Sequence, residues 1–136
     1  MKTKKPSISK LKKKLWQLFS IYIRTRNLDE KGRTTCVTCG TKKHWKEMQA
    51  GHFVPGRTNG ILFDERGIHA QCKGCNIFKA GNLIEYYPFM LKNYGQSIVD
   101  DLRRLSKTPV KITEEWYTEE IERLKKLCKK FTEDKK

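Results

Sequence analysis

The chain has 136 residues, with 30 Lys and Arg against 15 Asp and Glu, for a formal net charge of +15. That length suits one domain and excludes a large multidomain enzyme. An apolar fraction of 37% promises a modest core, of the kind small chains often reinforce with a metal or disulfides. No stretch approaches the roughly 18 uncharged apolar residues of a membrane span. The basic start, Met1 to Lys14, shows no apolar run leading to a small-residue cleavage site, so no secretory signal is read and a cytoplasmic setting is expected. A positive excess of this size attracts polyanions, most commonly nucleic acid; a solubilising surface or a membrane-surface patch are the blander readings.

In chain order, residues 1–6 are charged, polar and ended by Pro6, and are expected to be disordered. A helix is expected over residues 7–26, with Ser7 as its N-cap. Ile8, Leu11, Leu15, Leu18, Phe19 and Tyr22 recur at three- and four-residue intervals and give it an apolar stripe. Lys10, Lys12, Lys13 and Lys14 crowd its first turns, where positive charge is unfavourable, so they point either to an external phosphate or to a solvated basic face. Asn27 to Arg33 reads as a loop. From Thr34 to about Asp64 the pattern is β-like, with extended segments at Thr34–Val37, Met48–Val54 and Ile61–Phe63, and turns at Gly40, Pro55-Gly56 and Asn59-Gly60. Gly67 to Gln71 reads as a further extended piece. Asn76 to Ala80 suits a short helix ended by Gly81. Asn82 to Tyr94 suits another, which Pro88 should kink or break. Gln96 to Ser106 presents Ile98, Leu102 and Leu105 on one face. Thr113 should cap a last helix to about Phe131, with Trp116, Ile121, Leu124, Leu127 and Cys128 turned inward. Thr132 to Lys136 should fray.

Four of the five cysteines are paired by spacing, as Cys36-x-x-Cys39 and Cys72-x-x-Cys75. Each such turn aims two thiolates at one point, and two turns complete a tetrahedral four-sulfur site. Zinc suits soft thiolate ligands in that geometry. Two disulfides fit the spacing but not an intracellular setting, and an iron–sulfur electron carrier rarely needs such a charge. Four cysteines fill the shell, so the expected zinc is structural, clamping the chain around residues 40–71. Cys128 reads as a small buried apolar residue.

Residues 40–71 form an interval longer than the roughly 15–20 residues of a plain zinc ribbon. The order is a cysteine pair, an extended segment carrying His52, a turn, a second extended segment, the second cysteine pair, and a helix start with Cys75-Asn76. This arrangement resembles the zinc-stapled HNH nucleases (the ββα-metal or His-Me finger group). It resembles most closely the NinG (Rap) recombination endonucleases of lambdoid phages. The resemblance is carried by SISKLKKKLWQLFSIYIRTR, CVTCG, AGHF, FDERGIHAQC and CNIFKAGN, and runs from about Ser7 through the last helix. It implies an α+β domain over residues 1–136. A zinc-clamped ββα-metal core over 34–82 would be flanked by the basic helix 7–26 and a helical part 83–131.

What the resemblance implies chemically is phosphodiester hydrolysis in DNA. His52 would be the general base, because imidazole titrates near neutrality. Asn76 would offer its amide oxygen to a single catalytic Mg2+ or Mn2+ stabilising the leaving oxygen. The position before the catalytic His usually holds another metal ligand but here is Gly51; His69, Glu65 and Asp64, in that order, are the expected substitutes. The Asn expected about five residues before the third cysteine is Gly67, and His69 is expected to take over the orienting of the base. Arg57, Lys73 and Lys79 are natural phosphate contacts, and His44 reads as a hairpin surface residue. The resemblance further implies branched substrates (Holliday junctions, D-loops) in phage recombination inside a bacterial host. A homodimer is expected, since symmetrical resolution needs two sites. The rivals are a non-catalytic zinc-stapled DNA or RNA adaptor, a ribosome-associated zinc protein, and an HNH nicking or packaging nuclease.

Overall fold

A computed structural model describes residues 6–133. Helix α1 (Ile8–Thr25) comes first. It is followed by strands β1 (Arg33–Thr35), β2 (Lys42–His44), β3 (Met48–His52) and β4 (Ile68–Cys72). A single π-helical turn (Gly74–Phe78) leads into α2 (Leu83–Asn93), α3 (Gln96–Ser106) and α4 (Glu114–Glu133). This is an α+β architecture whose first and last helices pack together. The expectations for 1–5 and 134–136 lie outside the described residues.

Local signals set the helix ends. Ser7 Oγ accepts from the Lys10 backbone N–H at 3.2 Å and caps α1. Thr113 Oγ1 accepts from the Trp116 N–H at 3.2 Å and caps α4. Leu11, Leu15, Phe19 and Ile23 of α1 interlock with Tyr117, Ile121 and Leu124 of α4 and with Ile68 of β4. The stripes are therefore shifted slightly from those expected. Ile8 and Trp116 stay at the rim, while Ile23 and Tyr117 are buried. Cys128 is buried too, its Sγ 3.2 Å from the Leu18 carbonyl.

The strands form two antiparallel pairs. β1 pairs with β2, Thr34 opposite Lys43. β3 pairs with β4 in the register Met48–Cys72, Ala50–Ala70 and His52–Ile68. Side chains alternate across a strand. Ala50 and Ile68 face the α1–α4 layer, while Phe53, just beyond β3, joins Tyr86, Met90, Val99 and Leu102 of α2 and α3 on the other side. The Tyr86 hydroxyl, buried, donates to the Gly51 carbonyl at 2.7 Å and ties α2 to β3.

Two expectations are corrected, and of the kink or break expected at Pro88 the break is excluded. Ile61–Phe63 is not extended: the Ile61 and Leu62 N–H groups both donate to the Thr58 carbonyl, forming a turn. Ile61 and Leu62 are nevertheless buried, and a short apolar run does not by itself distinguish a strand from a buried turn. The Asn59-Gly60 turn likewise joins no strands; a Cβ on Gly60 would lie 2.1 Å from the Leu105 carbonyl, so the loop packs there only with glycine. Pro88 sits within α2 without ending it. Pro88 and Ile84 are both exposed, so solvent can take the carbonyl that loses its helical donor. His44 is expected on a hairpin, but the strand Lys42–His44 is not delimited, because its Lys-rich sequence shows no apolar alternation.

Candidate functional site

The four paired cysteines meet. Cys36 and Cys39 lie in the β1–β2 connection, Cys72 ends β4, and Cys75 sits in the π-helical turn. Their sulfurs all lie within 4.8 Å of one another, and the Cys39 and Cys72 sulfurs are 3.7 Å apart. A zinc tetrahedron with 2.3 Å bonds has sulfur–sulfur edges of about 3.8 Å, so the geometry fits a zinc ion. Burial pushes the Cys36 thiol up, but hydrogen bonds from Thr38 and from backbone amides outweigh it and hold the group low, at about 6. Burial raises Cys72 to about 11; a bound dication reverses that, since a coordinating thiol is deprotonated outright. The cluster joins the β1–β2 pair to the β3–β4 hairpin.

His52 stands at the far end of that hairpin. Its ring stacks on Trp16 of α1, with centroids 5.2 Å apart at 18°. The Arg57 guanidinium covers Trp16 at 4.5 Å. The His52 Nε2 lies 3.3 Å from the Leu62 carbonyl. A carbonyl can only accept, so Nε2 carries the proton and Nδ1 keeps its lone pair. Nδ1 has no hydrogen-bond partner among the described residues. Burial lowers the His52 pKa below its ordinary 6.5, the Leu62 carbonyl opposes the shift, and the Arg57 charge adds to it. The ring is thus a neutral imidazole near pH 7, able to accept a proton at Nδ1.

On the opposite face of β3, the missing side chain of Gly51 looks toward the π-helical turn. A Cβ there would lie 3.0 Å from Asn76 Oδ1 and 1.8 Å from Gln71 Oε1. The Asn76 amide is oriented by its Nδ2, which donates to Gln49 Oε1 at 2.7 Å.

These features coincide with a family assignment. The family described as "Bacteriophage Lambda NinG protein" matches residues 1–134. The chain belongs to the NinG family. It is 32% identical over 114 residues to Protein ninG of Salmonella phage P22, covering 83% of this chain and 51% of that protein. It is 35% identical over 91 residues to Protein ninG of Escherichia phage 933W, covering 66% and 43%. Against Protein ninG of Escherichia phage lambda it is 34% identical over 91 residues, covering 66% and 42%. The chain spans about half the length of the curated NinG proteins it matches. No solved structure matches it significantly. No described helix is long and apolar enough to cross a membrane.

The expected substitutes for a ligand at Gly51 are engaged elsewhere in this NinG-family chain. His69 Nδ1 accepts from Arg26 Nη2 at 3.0 Å, and its Nε2–H donates to the Arg66 carbonyl at 2.9 Å. Burial drives its pKa down to about 4. Glu65 receives Tyr22 from α1 and Arg123 from α4. Asp64 is paired along its edge with Arg66, at 2.7 and 3.0 Å. Among the described residues, only the four cysteines form a cluster of three or more His, Cys, Asp or Glu. Gly67 donates no side chain to His52; a Cβ there would press on Leu102 at 3.1 Å. The carbonyl of Leu62 meets His52 instead, a backbone contact that no sequence pattern announces.

Of the basic candidates, Lys12 lies one turn before Trp16 on α1 and donates to Asn59 Oδ1 at 3.0 Å. Lys10, Lys13 and Lys14 are exposed on the same helix, Lys73 and Lys79 are exposed on either side of Asn76, and Arg57 is exposed beside Trp16. His44 caps a short turn, its Nδ1 accepting from the Lys46 N–H. No sequence pattern marks Trp16 as core or site, because its stacking on His52 depends on a contact across 36 residues.

Proposed function

We propose that this chain is a metal-dependent DNA endonuclease with an HNH-type, ββα-metal site, acting on branched recombination intermediates. The observation that supports it best is the end of the β3–β4 hairpin. His52 is held there as a neutral imidazole with a lone pair at Nδ1, and the adjacent residue faces the Asn76 amide oxygen.

The chain's own groups supply most of the chemistry. Arg57, Lys12 and the exposed lysines of α1 bring a phosphodiester to His52, with Lys73 and Lys79 steering the flanking backbone. His52 Nδ1 takes a proton from water as its oxygen forms a bond to phosphorus. The bond from phosphorus to the leaving sugar oxygen breaks, and that oxygen takes a proton from solvent. The stack on Trp16 and the Leu62 carbonyl hold the ring in one orientation and tautomer. Asn76 would hold a Mg2+ or Mn2+ ion, which when bound offsets the charge on the leaving oxygen. Preference for branched DNA follows from the NinG resemblance, with shape and backbone as the features read. Symmetrical cutting of a four-way junction would call for two copies of the chain.

The test is cleavage by zinc-loaded protein of a four-way junction and a matched linear duplex. Products should require Mg2+ or Mn2+ and should appear first on the junction. Retarded DNA bands in EDTA with no products in either metal would replace the enzyme with a zinc-stapled adaptor.

A further inference from the structure

We propose that Gln71 supplies the oxygen ligand that Gly51 cannot, forming with Asn76 a two-amide site for the hard divalent ion. This deepens the nuclease reading and rests on it.

Gln71 lies on β4, two residues beyond the partner of Gly51 and on the same face of the hairpin. It is 0% exposed. Its Nε2 donates to the Gly81 carbonyl at 2.9 Å and to Thr38 Oγ1 at 3.2 Å. Gly81 offers only an acceptor there, so the amide cannot be turned over. Oε1 is therefore forced toward Gly51, and it has no hydrogen-bond partner among the described residues. Leaving such an oxygen unpaired in the interior is costly. Asn76 Nδ2 donates to Gln49 Oε1 at 2.7 Å, and in that arrangement its Oδ1 lies 3.0 Å from where a Gly51 Cβ would stand, toward the same point as Gln71 Oε1.

The Gln71 amide thus spends both its donors on the fold, and the two amides aim their acceptors together. Two acceptors repel each other and are reconciled by a positive centre. Hard cations take amide carbonyl oxygens as ligands. Glycine at 51 is a requirement of this arrangement, because a Cβ there would overlap Gln71 Oε1 at 1.8 Å. An acidic ligand at 51 and a glutamine at 71 exclude one another, and this chain uses the glutamine. Two neutral ligands make a weak site in free protein, one that DNA phosphate oxygens would strengthen.

The test is NMR of the zinc-loaded, 15N-labelled protein with substoichiometric Mn2+, using Mg2+ as the diamagnetic control. Mn2+ does not compete for four thiolates. The side-chain amides of Asn76 and Gln71 should broaden first. In Gln71→Met, which keeps the volume, broadening at Asn76 should need at least tenfold more Mn2+. Gly51→Ala, which displaces the Gln71 amide without removing it, should act in the same direction and serves if Gln71→Met does not fold. The double variant Gly51→Asp with Gln71→Ala should restore broadening at Asn76. Unchanged broadening at Asn76 in Gln71→Met would overturn the inference; so would a water bridging the two oxygens, which would leave both amides sharp in Mn2+. If the wild type cuts DNA while these amides stay sharp, the site is wrong and the nuclease survives. If it neither cuts nor broadens, both fall.

Discussion

The β3–β4 hairpin joins two corners built on different terms. At the Met48–Cys72 end, four identical side chains from two short turns meet, and their spacing in the chain announces them. At the His52–Ile68 end, the histidine is set by Trp16 from a helix 36 residues earlier, by Arg57 from the following loop, and by the backbone of Leu62. The first corner is a local motif repeated. The second is an assembly of distant parts, one of them a carbonyl that any residue could provide. The comparison teaches that a cluster of paired cysteines can be read from one sequence, whereas the groups that set the environment of a histidine cannot.

The largest expected effect breaks the comparison by removing the first corner. Cys72→Ser should lose zinc, and with it the folded state of both ends of the hairpin. Structural zinc contributes about 10–16 kcal/mol in small zinc peptides. Metal content by mass spectrometry and far-ultraviolet circular dichroism check this; a zinc-free variant with native spectra and melting would show that the core suffices alone.

Next comes the second corner taken separately. Trp16→Ala should leave zinc content intact and lower stability by about 2 kcal/mol, from lost apolar burial. It should also move the His52 pKa up toward its ordinary 6.5, because desolvation is the main cause of the lowering. In the wild type, cleavage should rise with pH and level off below pH 6.5, as His52 loses its proton. In Trp16→Ala that limb should shift to higher pH, which a pH–rate profile would show directly.

His69 sharpens the contrast between a base and a structural tie. Its folded pKa of about 4 lies below the ordinary 6.5. The unfolded chain therefore binds more protons between those values. The contribution of His69 to stability is full above pH 6.5 and is lost as pH falls toward about 4. Imidazole NMR should show His69 neutral at pH 5 in the folded protein; a midpoint near 6.5 would mean its bonds to Arg26 and Arg66 do not hold it.

The smallest effect lies outside both corners. Ser7→Ala should cost about 1 kcal/mol through loss of the α1 cap and leave zinc and DNA cleavage unchanged. Thermal melting measures it.

Much of the fold was legible because its signals are local. Ser7, Thr113 and the apolar spacing of α1, α3 and α4 mark helices that the structure contains within a residue or two. Ile61–Phe63 misled because burial rather than strand pairing explains its apolar run. The bounds of the strand Lys42–His44 were not legible, because strand pairing in a small exposed hairpin leaves little trace in composition. In the site, the cysteines could be read from spacing, and Gly51 and Asn76 are singled out by the family resemblance. Gln71 could not, since an amide fixed by Gly81 and Thr38 is a matter of packing alone.

The most direct measurement is single-turnover cleavage of a four-way junction by His52→Ala beside the wild type, with zinc content and junction affinity determined for both. General-base removal should lower the rate about 10²–10⁴-fold, with zinc and affinity unchanged. Equal cleavage rates in two equally folded, equally bound proteins would contradict the assignment of His52 as the base.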